Sequence, residues 1–260
     1  LIRPAEELGK AAFGWNQYTG PWVFSGLFFL TSLINVSLRL KPDPLVVAGG
    51  LRSQQKLDVN GVASPGVKVL SFLKSSPKTR LAFYGMMISH ITMVAVMTMT
   101  PVHLRQHGHE TVSAYIISLH IAGMYAFSPF IGRFSDRNGR LNTMLVGCFV
   151  LIVSTVMSAF AGSNPIVFFP SLWLLGIGWS FGLIGASSLL VDSVPIQHRV
   201  RVQGSADVAM SLCGGLAGFS SGFIRKSFGF PWLSMLGTFV VLGLTLTLLL
   251  NIEHVVAAES

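Results

Sequence analysis

Seven apolar runs divide the sequence, at residues 22–38, 81–100, 112–131, 141–161, 166–191, 202–224 and 231–251. All but the first are close to the roughly 20 residues with which an α-helix crosses a bilayer. The first is shorter and begins with Trp22, an aromatic anchor of the kind found at membrane interfaces. Every lysine and arginine falls outside these runs. Residues 1–20 are mixed in character, with Pro4, Gly14 and Gly20 as breakers, and read as the end of a further span and an exposed connection. The longest polar stretch, 39–80, carries eight Lys/Arg against Asp43 and Asp58, with Pro42, Pro44, Pro65 and Pro77 marking it as a linker. The pattern leaves a surface-lying helix within it open.

Composition agrees with this pattern. Hydrophobic residues make up 51% of the 260 residues and charged residues only 11%, where soluble domains carry about 25% charged. An all-α, multi-pass protein whose first partner is the lipid bilayer is therefore expected. The net charge of +8 does not indicate nucleic acid, because the basic residues cluster between spans. Thirteen Lys/Arg lie on one side of the expected membrane and five on the other. The richer side, which holds 39–80 and the C-terminus, is assigned to the cytoplasm. Cys148 and Cys213 both sit in apolar runs, so no disulfide framework is expected. The chain starts at Leu1 with no signal-peptide pattern, and an odd number of spans with an outside start is expected of the later part of something longer.

Between the third and fourth runs stands GRFSDRNGR, residues 132–140. Three arginines and an aspartate cannot remain in hydrocarbon, so the chain surfaces there. Gly132 and Gly139 suit close helix approach and a tight reversal, and Asp136 can meet an arginine at the membrane face. The spacing Gly-x3-Asp-Arg-x-Gly-Arg, at Gly132, Asp136, Arg137, Gly139 and Arg140, resembles the signature loop of the major facilitator superfamily (MFS). There it joins the second and third helices of each six-helix half. The resemblance implies a twelve-helix fold. Residues 1–38 would end the N-terminal half with one transmembrane helix, 39–80 would be the central cytoplasmic loop, and 81–260 the C-terminal six-helix bundle. It also implies a partner in the N-terminal half of the same chain, a plasma (inner) membrane location and alternating-access transport.

A second charged turn lies at 192–207, where Asp192, Arg199, Arg201 and Asp207 are expected to pair across a short loop and latch the cytoplasmic end. Gly204, Gly214, Gly215, Gly218 and Gly222 then favour close packing of the next helix.

Polar and soft groups inside the spans carry the chemistry. At about 100° per residue, Met86, His90, Met93 and Met97 share one helix face, and His120 and Met124 lie one turn apart on the next span. Thioether and neutral imidazole form a soft set that suits Cu(I). Met93-x3-Met97 followed by His120-x3-Met124 resembles the CalT branch of the superfamily, the CcoA-type bacterial copper importers. That resemblance implies Cu(I) as transported substrate, with Met93, Met97, His120 and Met124 as ligands and His90 beside them. Cofactors are not implied.

Two other readings stand beside it. One is proton-coupled transport of a small organic solute or drug through His90, His120 or Asp207. The other is a membrane protein that delivers or senses copper without moving it across. His103, His107 and His109, after Pro101, could capture metal before it enters. No nucleophile elbow, P-loop or zinc-protease motif is present, so no enzyme is expected.

Overall fold

The computed structural model describes residues 10–11, 14, 19–42 and 69–251. The reading of 1–20 falls mostly outside them, as does that of most of the 39–80 linker. Two units divide the chain, Leu1–Pro65 and Gly66–Ser260. The first contains α1 (Thr19–Arg39), which covers the first apolar run and ends on a basic residue, Arg39.

The second unit holds α2 (Val69–Ser75), α3 (Pro77–Gln106), α4 (Glu110–Tyr125), α5 (Ser128–Asn138), α6 (Arg140–Phe160), α7 (Pro165–Asp192), α8 (Ile196–Phe228) and α9 (Phe230–Leu250). Counting α4 and α5 as one path, six stretches are long and apolar enough to cross a membrane, and Ser25–Arg39 is a shorter apolar helix. No strand occurs among the described residues. The all-helical expectation therefore holds.

Local chemistry sets the helix boundaries. Ser76 caps α3 by accepting from the Thr79 N–H at 3.2 Å, with Pro77 in the first turn. Asn164 does the same for α7, accepting from the Ile166 N–H at 3.0 Å ahead of Pro165. Gly139, at φ +87°, is the single residue between α5 and α6. A side chain there would be strained, so glycine is what makes so short a reversal possible.

Helices α3 and α7 form the centre. Helix α7 packs on α6, α4 and α3, while α3 also meets α8 and α9. Small residues and hydroxyls hold these contacts, since lipid supplies no hydrophobic drive between helices. Ser154 and Ser171 exchange hydroxyl-to-carbonyl bonds between α6 and α7 at 2.8 and 3.1 Å, and Ser158 joins the Ser171 hydroxyl at 2.5 Å. Thr155 and Thr238 link α6 to α9 at 2.8 Å. The closest backbone approach is between α4 and α7. A Cβ on Gly123 would lie 2.6 Å from the Trp173 carbonyl oxygen, and one on Gly176 would meet the His120 carbonyl.

Hydrogen bonds sort the helix ends into two sets. Thr79 meets Ser193 at 3.1 Å and Arg140 meets Asp192, which gathers the start of α3, the α5–α6 turn and the end of α7. His103 reaches the Gly162 carbonyl and Arg225 reaches Gln106, which gathers the opposite ends. Helix α8 leaves Leu212, Leu216, Phe219 and Phe223 exposed, a face that requires lipid or protein against it.

Four expectations are corrected. The 132–140 stretch is not a loop: α5 carries Gly132, Asp136 and Arg137 in helix through Asn138, because Asn138 and Arg133 bond back to carbonyls four residues earlier. Gly132 permits no close approach, since a Cβ there would meet nothing within 4 Å. The 192–207 turn is likewise short. Helix α8 begins at Ile196, so Arg199, Arg201, Gly204 and Asp207 are helical. Of the glycines on α8, Gly214 and Gly218 pack against α3, while Gly204, Gly215 and Gly222 face open space.

Candidate functional site

Two histidines stand among the helices, His120 of α4 against α7 and His90 of α3 against α7 and α8. His120 is fully buried. Its Nδ1 lies 2.8 Å from the Leu172 carbonyl oxygen of α7. A carbonyl only accepts, so Nδ1 carries the proton and Nε2 presents a bare lone pair. That Nε2 is buried and has no hydrogen-bond partner among the described residues. Met124, one turn on, is also buried, with its backbone N–H against Gly176. His120 and Met124 thus both turn toward α7.

His90 faces a different pair of helices. The Trp179 Nε1–H of α7 donates to His90 Nδ1 at 3.2 Å, which leaves the His90 proton on Nε2. That edge lies over Gly214 of α8, where a Cβ would fall 2.6 Å from Nε2. Tyr125 of α4 sets its ring edge-on to Trp179, with centroids 6.2 Å apart. An imidazole, an indole and a phenol from three helices therefore form one chain, and Trp179 is its middle. Met93 is buried, Met97 half-buried, and both join the central core with Met86 and Met124. Among the described residues, no group of three or more His, Cys, Asp or Glu gathers as for a metal.

At the end of the bundle holding the α5–α6 turn, one guanidinium ties three helices. Arg140 Nη1 pairs with Asp136 Oδ1 at 2.5 Å and donates to the buried Ser135 hydroxyl at 3.0 Å. Its Nε reaches Asp192 Oδ2 of α7 at 3.1 Å. Asp192 was expected to meet Arg199, but Arg199 turns instead to the Val194 carbonyl at 3.0 Å. The helical start of α8 carries it there. Arg137 is exposed. Asp207 is exposed and accepts from Gln203 Nε2 at 3.0 Å, while Gln203 Oε1 accepts from Ser187 of α7.

The opposite end holds the three histidines. His103 lies within α3, stacks on Phe230 at 4.6 Å and uses Nε2 on the Gly162 carbonyl. His107 Nδ1 donates to the His103 carbonyl at 2.8 Å. Two of the three histidines therefore have a ring nitrogen already bonded to backbone. Cys148 and Cys213 are free thiols.

Trp179, Tyr125 and Ser135 did not emerge from the sequence. The one available signal was a tryptophan in mid-span, away from the interfaces where that residue usually sits. Ser135 lay inside the charged motif but was overshadowed by its neighbours.

Six apolar helices, a charged network at one end and buried histidine and hydroxyl groups between the helices define a multi-pass membrane protein. The sequence profile of the Major Facilitator Superfamily matches residues 8–218 and again 82–257. The chain belongs to that superfamily. It is 33% identical over 232 residues to the uncharacterised MFS-type transporter YdeG of Bacillus subtilis, covering 87% of this chain and 52% of that one. The riboflavin transporter RfnT of Brucella anthropi is 31% identical over 180 residues, which is 69% of this chain and 45% of that one. The multidrug resistance protein MdtL of Escherichia coli is 26% identical over 132 residues, 51% of this chain and 33% of that one. The chain spans about half the length of the curated relatives it matches most extensively. These relatives are named as transporters, and the superfamily is one of transporters rather than enzymes.

Proposed function

We propose that this chain forms the C-terminal portion of a secondary transporter that moves a small organic solute by alternating access, acting with an N-terminal half. The carrying observation is the His90–Trp179–Tyr125 chain. Three ring systems from three helices offer flat apolar faces and a few directed polar groups, as small-molecule sites do. RfnT and MdtL, named for riboflavin and for multidrug resistance, support an organic cargo. The Arg140–Asp136–Asp192 network serves as the latch at one end. By its charge asymmetry that end is cytoplasmic, in a plasma membrane. Asp207, Arg137 and Arg199 do not join it, and Gly139 shapes the turn.

The test is uptake of labelled riboflavin and export of ethidium by cells expressing the complete chain, beside Trp179→Phe at matched membrane abundance. Phenylalanine keeps an aromatic ring and deletes the N–H donor. Transport of whichever probe the parent moves is expected to fall roughly tenfold, the equivalent of ~1.4 kcal/mol for a lost hydrogen bond. Equal transport by parent and variant would remove Trp179 from the path.

Cu(I) import is the second reading, favoured by the unpartnered His120 Nε2. A ligating imidazole typically donates its other nitrogen to a backbone carbonyl, as His120 does to Leu172. Met124, Met93 and Met97 would complete a soft set, while His90 is turned to Trp179 and Gly214. Replacing Met93 and Met97 by leucine conserves volume and removes sulfur. On this reading, copper accumulation in copper-limited cells falls to the level of empty cells, and accumulation equal to the parent's rejects it. Copper bound by the purified protein without flux into vesicles would instead mark a delivery protein.

A further inference from the structure

At the end of the bundle away from Arg140, α3, α8 and α9 border an open cavity of about 680 Å³ whose lining includes His103, Gln106, Gly222, Arg225, Lys226 and Phe230. Among the described residues, no carboxylate lines it. The Arg225 terminal nitrogen bonds to Gln106 Oε1, which anchors the guanidinium, while its Nε is buried and has no partner among the described residues. A held cation with an unspent donor, beside a second cation, is a site for an anion.

A second feature continues along the same helices. An apolar groove of about 290 Å³ runs between α8 and α9 over α3, lined by Ile91, Ala95, Leu216, Ala217, Leu233 and Leu236 among others. Its α8 wall extends from Cys213 to Ile224, the residue before Arg225. The twelve helical rises from Cys213 to Arg225 span roughly 18 Å. Half of a bilayer's hydrocarbon is roughly 15 Å. The groove is open at its rim, where Leu216 is 68% and Leu236 45% exposed.

An apolar trough one leaflet deep, ending on a basic cavity, matches the outline of one molecule class. We propose that this face binds an anionic phospholipid, with one acyl chain along the α8–α9 groove and its phosphate on Arg225 and Lys226. The shared helices join the two cavities into one site. Lipid at this site would brace α8 and α9 against α3, because its chain touches all three. His103, stacked on Phe230, forms part of the wall beside the headgroup. Gly222 leaves the α8 side of the cavity without a side chain, which admits a phosphate close to the backbone.

The experiment is native mass spectrometry of the complete chain in detergent, titrated with phosphatidylglycerol and with phosphatidylcholine of the same acyl composition. The parent is expected to retain phosphatidylglycerol roughly 5- to 30-fold better, from about 1 kcal/mol per basic residue at a headgroup. The Arg225→Gln/Lys226→Gln variant is expected to lose that preference. Ala217→Phe fills the groove far from the charges and is expected to weaken retention of both lipids. Equal retention of the two lipids by the parent would overturn the proposal. So would a preference that survives the double variant, or unchanged retention by Ala217→Phe. Saturable binding of inorganic phosphate without lipid retention would replace it with a free-anion site.

Discussion

Gly176→Val is expected to unseat α4 from α7 and lower stability by about 3 kcal/mol or more, the upper range for overpacking. A Cβ at position 176 would stand 2.9 Å from the Met124 nitrogen and 3.2 Å from the Gly123 carbonyl carbon, with the His120 carbonyl oxygen closer still. All three are backbone atoms, so no rotamer change relieves the clash. Helix α4 must move, and His120 then loses the Leu172 carbonyl. Thermal unfolding in detergent reads this directly, as a midpoint drop of roughly 6 to 12 °C for a protein of this size. Gly215→Ala is the matched control, because a Cβ there meets nothing within 4 Å. It is expected to be neutral or slightly stabilising. If Gly176→Val melts with the parent, the α4–α7 contact is not the tight one described.

Arg140→Gln is expected to have the largest effect on transport and only a modest one on stability. The Arg140 side chain is one-quarter exposed, and its partners Asp136 and Asp192 more than half. Exposed pairs contribute little individually, so a loss of about 1–2 kcal/mol is expected from the whole network. Its geometry matters more, since one planar group holds α5, α6 and α7 together. Lysine cannot reproduce that fork. Transport is therefore expected to fall roughly tenfold or more in both Arg140→Gln and Arg140→Lys at matched abundance, with Asp192→Asn intermediate. Lysine restoring full transport would reduce the site to a point charge.

The helical class and the spans from α3 onward were legible because lipid imposes a strong rule: apolar runs of sufficient length must be helices, and charge must leave. The 132–140 motif was legible as a place and a family mark, yet not as a shape. Whether Arg133 and Asn138 bond to their own helix or to water is decided by contacts that the string does not contain. The same holds for Asp192, whose partner is 52 positions away in Arg140 rather than seven away in Arg199. Helical periodicity placed Met86, His90, Met93 and Met97 on one face, and Met86 and Met93 are indeed buried. It could not say which neighbour each residue meets. His90 finds Trp179 and Gly214, and His120 finds Leu172, because α7 runs through the middle of the bundle. No local pattern announces that a helix is central.

That central position of α7 fixes an order of assembly during synthesis. His120 and its acceptor at Leu172 are separated by 52 residues. At ribosomal rates, roughly 3–10 s pass between their appearance. Throughout that interval α4 has been made, its imidazole has no carbonyl, and the seat at Gly176 does not yet exist. A nascent bundle paused before α7 is thus an incomplete solvent shell for its own histidine, and water or the insertion machinery must stand in until α7 delivers the Leu172 carbonyl.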